Sequence, residues 1–153
     1  MTPSQATFLP IAALMFLTGI GIPIMATLNS GLGQSLGSPV VATFVLFAVG
    51  LALMGLIVVV SGNAGALANL GAGRPWHYIG AAFMLFYALS VTWAAPRIGV
   101  GNAVFFVLLG QLVAAATIDH FGLWGAIKAE VTLRRAAGIA VMGLGVWLAK
   151  KTA

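Results

Sequence analysis

Cysteine is absent from the chain, and acidic side chains nearly so: Asp119 and Glu130 are the only two. The first absence excludes disulfides and thiolate metal sites. The second, with histidine present only at the well-separated His77 and His120, leaves too few ligands for a conventional metal centre. No metal and no other cofactor is expected. Nor does any span carry a nucleophile with its base, or a pair of acids at one depth, which catalysis needs within hydrogen-bond reach; the chain is not expected to be an enzyme. Charge of either sign is scarce. Only 6% of the 153 residues are charged, and so few cannot cover the surface of a water-soluble domain of this size. The net charge of +5 does not point to nucleic acid. The basic residues Arg74, Arg97, Lys128, Arg134, Arg135, Lys150 and Lys151 are scattered at the ends of apolar runs, with no clustered stripe to follow phosphates.

What the chain has in place of charge is apolar length. Hydrophobic residues make up 61% of it, and its mean hydropathy is +1.11. Val100 to Ile118 gives nineteen residues without a charge, enough helix at ~1.5 Å per residue to cross a hydrocarbon core of ~30 Å. Val40 to Val60 is a similar run of twenty-one. Taken together, the runs predict an all-α membrane protein of one transmembrane domain, residues 1–153, with five spans near residues 8–28, 40–60, 77–95, 99–119 and 134–150. The start of the chain is short and polar without Lys or Arg, so the first span is expected to be retained rather than cleaved as a secretory signal. Flanking Lys and Arg suit anionic headgroups. Trp76, His77 and Tyr78 suit an aromatic belt at the headgroup level.

A few polar or helix-breaking residues interrupt this apolar background, and they are the site candidates. Gln111 is an amide within the fourth span, which hydrocarbon cannot solvate, so it is expected to look inward, onto protein or a cavity, and is a candidate for the substrate cavity. Asp119 closes that span and is either a helix-ending partner of His120 or a nearby Arg, or a coupling acid. Pro23 is expected to kink or break the first span and free backbone carbonyls there, as either a tolerated kink in a packing seam or a substrate-facing break. Asn29 follows it, in a stretch with Ser30, Gln34 and Ser35 that reads as an uncharged connection ending at Gly37-Ser38-Pro39. In the third span Trp93 lies one helical turn from Arg97 and is either an interface anchor or one wall of a pocket. Gly138, Met142, Gly145 and Ala149 form a narrow seam on the fifth span, where another helix can approach.

The motifs Gly-Ile-Pro-Ile-Met-Ala-Thr-Leu-Asn (21–29), Ser-Pro-Val-Val-Ala (38–42), Arg-Pro-Trp-His (74–77), Gly110-Gln111 and Ile-Asp-His-Phe-Gly (118–122), in this order, resemble the YdcZ-type family of small bacterial inner-membrane proteins within the drug/metabolite transporter superfamily. The resemblance covers essentially the whole chain. It implies a multi-pass protein of the bacterial inner membrane, a five-span half-transporter that pairs in antiparallel orientation into a ten-helix inverted repeat. Asn29, Trp76, Gln111 and Asp119 stand at matching positions. The family often has Gln where Met25 stands and a second Trp where His77 stands. The function expected is secondary transport of small metabolites or drugs by a dual-topology dimer. The alternatives are a non-transporting membrane scaffold, or a subunit paired with an oppositely oriented paralogue. With five spans, one face of the membrane receives Arg74, Lys128, Arg134 and Arg135, and the other Arg97, Lys150 and Lys151. Lys/Arg bias sets orientation, and four against three is almost no bias, so the chain is expected to insert both ways up. The partners are therefore a second copy or that paralogue, membrane lipid and an unidentified small molecule.

Overall fold

A computed structural model describes residues 5–149 and is helical almost throughout. Five α-helices follow one another: α1 (Gln5–Ser35), α2 (Pro39–Val60), α3 (Gly80–Ile98), α4 (Val100–Phe121) and α5 (Leu133–Ala149). Short 3-10 segments at Asn63–Ala72, Pro75–Ile79 and Leu123–Gly125 connect them. Among the described residues four stretches are long and apolar enough to cross a membrane: Phe8–Ser35, Pro39–Val60, Pro75–Ile98 and Val100–Phe121. The described part of α5 has 17 residues, ~26 Å at the ~1.5 Å rise of an α-helix, and is not among the four. The expected closure of the fifth span by Lys150 and Lys151, and the polar first residues Thr2 and Ser4, lie outside the described residues.

The second, third and fourth spans match the apolar runs to within a few residues, because hydrocarbon thickness sets their length. The first does not. α1 continues to Ser35, so the polar stretch expected to be a connection is its last two turns. Asn29 and Ser30 are tolerated there because both are buried and hydrogen-bonded to α3. The chain turns instead at Gly37, whose φ of 63° glycine adopts at little cost. Ser38 then caps α2, accepting a bond from the Val41 N–H at 3.3 Å, with Pro39 at the first helical position as capping chemistry favours. The break expected at Pro23 is not formed either: α1 runs through both Pro10 and Pro23. A proline removes one backbone donor, and a long apolar helix absorbs that loss where a short one would end. The Pro23 carbonyl accepts a bond from the Thr27 hydroxyl at 2.8 Å.

The described residues fall into two compact units, one ending at Arg97 and one beginning at Ile98. In the first, α1 and α2 form a hairpin and α3 joins α1 through polar contacts. Its buried side chains are small: Ala26, Ala42, Ala88, Val91 and Ala95 with Asn29, Ser30, Thr43 and Thr92. Gly33 sits where a Cβ would meet Pro39 Cα and Thr92 Cγ2, each at 3.4 Å, so a bare backbone lets α1 approach both other helices. Small residues at close helix contacts and large apolar ones facing outward, Phe16, Phe44 and Phe83 among them, are the arrangement lipid favours. In the second unit α4 and α5 pack together, with Leu109 Cδ1 3.6 Å from where a Cβ on Gly143 would stand. α4 ends at Gly122 (φ 62°), whose N–H returns to the Asp119 carbonyl, the left-handed cap that lets the chain turn back.

Candidate functional site

The first unit concentrates its polar groups where α1, α2 and α3 meet. Asn29 Nδ2 donates to Thr92 Oγ1 at 2.6 Å, and the Thr92 hydroxyl donates in turn to the Ala88 carbonyl at 2.7 Å. Ser30 Oγ donates to the Thr92 carbonyl at 3.4 Å, a long bond. Asn29 and Thr92 are 5% and 3% exposed, so these bonds satisfy groups that hydrocarbon would otherwise strand. Asn29 Oδ1 has no hydrogen bond among the described residues, and Asn29 also lines a cleft of about 390 Å³ between α1 and α2 with Gly21, Met25 and Leu28. That cleft is otherwise apolar, as is a larger one of about 610 Å³ between α2 and α3 that holds Phe44, Phe47 and Met84.

A third cleft in this unit is polar. It measures about 400 Å³ and is lined by Ser30, Gly33, Gln34, Gly37, Pro39, Thr92, Pro96 and Arg97. Trp93 does not line it. Half exposed, Trp93 instead lies beneath the Arg97 guanidinium, 4.3 Å from ring centroid to Cζ, while Arg97 Nη1 donates to the Trp93 carbonyl.

In the second unit, Asp119 is clasped at the end of α4. Its Oδ2 pairs with Arg135 Nη2 of α5 at 2.6 Å, and its carbonyl accepts from the Ala129 N–H at 2.9 Å. Next to it, His120 Nδ1 accepts from the Val131 N–H at 3.2 Å. The Asp119–Arg135 contact is the only ion pair among the described residues, its members sixteen residues apart. His120 also borders a cleft of about 350 Å³ with Thr117 and Ile139. Gln111, midway along α4, is exposed and has no side-chain hydrogen bond among the described residues.

Within each unit the sequence candidates occupy separate places. Asn29 belongs to a polar cluster with Ser30 and Thr92. Trp93 supports a neighbour that lines the polar cleft, Asp119 is part of a clasp between α4 and α5, and Gln111 stands alone on the surface. Arg135 is the nearby arginine that the sequence offers Asp119 as a partner, whereas Thr92 carries no sequence signal for its pairing with Asn29. A threonine in an apolar helix usually bonds its own preceding turn, as Thr92 also does, and its second partner sixty-three residues away leaves no local pattern.

Lipid-length helices and a core of small residues define a membrane protein with several apolar helices. Over residues 10–148 the chain matches the family described as "Putative inner membrane exporter, YdcZ", and it belongs to that family. No curated protein and no solved structure matches it. Membership supports a membrane-transport role and an inner-membrane setting in general terms.

Proposed function

We propose that the protein is half of a secondary exporter of small metabolites or drugs, completed by a second copy in the opposite orientation, with α5 as a fifth span. The observation that carries this reading is Gln111. An amide halfway along a lipid-length helix, exposed and without a hydrogen bond among the described residues, costs several kcal/mol if it faces hydrocarbon. A second chain or a water-filled path covers it, and an antiparallel pair supplies both, since inverted repeats place the substrate path between their halves near the midplane. Family membership supports export as the direction, and the near-even distribution of Lys and Arg supports insertion both ways up. Asp119, already engaged by Arg135, serves as a helix-ending clasp in this reading and not as a coupling acid. No catalytic step is assigned.

Reporter fusions at the carboxy terminus test the dimer. Comparable cytoplasmic and external signals are expected from one expressed chain, and a single orientation refutes the antiparallel homodimer. Solute movement by the purified protein in liposomes tests the exporter reading itself.

A further inference from the structure

We infer that the polar crevice of the first unit binds a small anion, a carboxylate or a phosphate, and that the exported cargo is of this class. The cargo assignment rests on the exporter reading above; the anion site does not. Three observations carry it. First, Arg97 is the only charged side chain in the crevice lining, and residues 1–97 contain no Asp or Glu at all. A cation entering here meets a like charge and no counter-ion, whereas an anion meets an uncompensated guanidinium. Second, that guanidinium is held. It lies on the Trp93 ring at 4.3 Å and one nitrogen donates to the Trp93 carbonyl, while it makes no ion pair among the described residues. A planar fork fixed in this way keeps donors for the two oxygens of a carboxylate or phosphate.

Third, the rest of the wall offers neutral donors. Gln34 is exposed, with no side-chain hydrogen bond among the described residues. Among the described residues the Ser30 hydroxyl makes only a 3.4 Å bond, which a nearer anionic acceptor outcompetes. Gly33 keeps the floor free of side chain, and the crevice, about 400 Å³, admits a small organic acid. Its apolar neighbours, the clefts between α1 and α2 and between α2 and α3, carry no charge. A lipid headgroup offers the same phosphate chemistry as a solute, so the two sources must be told apart by experiment.

The test uses the full chain in nanodiscs of zwitterionic phosphatidylcholine, with equilibrium dialysis against radiolabelled inorganic phosphate and benzoate. Saturable binding of at least one is expected, weakened about tenfold or more by Arg97→Gln, because charge-assisted bonds contribute on that scale. Arg97→Lys should recover part of it, since a point charge lacks the fork. Gln34→Leu, which changes no charge near the membrane, should weaken binding by about threefold and keeps the inference testable if Arg97→Gln fails to fold. No binding of either anion, or binding indifferent to both positions, overturns the site. A second arm uses discs containing phosphatidylglycerol and native mass spectrometry. Arg97-dependent retention of that lipid with no solute binding assigns the crevice to headgroups and overturns the cargo assignment. Liposomes separate the two readings: anions bound but not moved refute the exporter and leave the site standing, while movement of a cationic dye without anion binding supports the exporter and refutes this inference.

Discussion

Replacing Thr92 with valine removes one hydroxyl and keeps the outline of the side chain, so it probes the Asn29–Thr92 bond with little cavity formation. That bond is short, 2.6 Å, and both residues are almost fully buried. On general grounds, stranding a buried amide costs ~1–3 kcal/mol. Membrane proteins moderate this, because the unfolded chain within the bilayer also finds partners, and interhelical pairs there average ~0.6 kcal/mol with a maximum of ~1.7. The burial and short distance of this pair place it in the upper part of that range, so Thr92→Val is expected to destabilise the protein by about 1 kcal/mol. Asn29→Ala should cost a similar amount, and the double variant little more than either alone. The coupling is read from unfolding in sodium dodecyl sulfate mixed micelles, followed by circular dichroism, for all four corners of the cycle. Losses that add to within ~0.3 kcal/mol refute the bond as a link between α1 and α3. A cycle that couples shows that Asn29 is held in place by Thr92, and any transport defect of Asn29 variants must then be judged beside that of Thr92→Val.

Two further outcomes are expected. Gln111→Leu should fold as well as the parent or slightly better, since no partner among the described residues is lost, while solute movement in liposomes falls; a folded variant with full transport removes Gln111 from the path. Asp119→Asn should cost no more than ~1 kcal/mol, because both members of its ion pair are about one-third exposed and such pairs contribute little, and it should leave the pH profile of transport unchanged; loss of pH dependence with binding intact identifies Asp119 as the coupling acid.

The spans were legible in the sequence because one physical quantity, the thickness of hydrocarbon, sets the length of each apolar run. Four of the expected spans reappear as α-helices long enough to cross. The limits of that criterion appear at Ser35 and Pro23. Local polarity marked residues 29–35 as a connection, and local chemistry marked Pro23 as a break. Partners from another helix keep the first stretch helical, and the helix length carries the second. The end expected at Gly37-Ser38-Pro39 is one where the turning residues themselves decide the conformation, whereas α4 runs two residues past the Asp119 expected to close it, to its cap at Gly122.

The candidate residues were legible by type, since any amide or acid in so apolar a chain stands out, but their roles depend on partners that no spacing reveals. Asn29 finds Thr92 and Asp119 finds Arg135, so part of the polar chemistry holds helices and a loop together. Among the described residues Gln111 and Gln34 make no side-chain hydrogen bond, and the Arg97 guanidinium, held only by its neighbour Trp93, makes no ion pair. In water such groups need no explanation. In a protein whose outward faces are lined by phenylalanine, leucine and isoleucine, each requires a neighbour from outside the chain: a second copy, an ion, a headgroup or a solute. The unpaired groups are therefore better guides to where transport takes place than the buried ones, and they lie on both units.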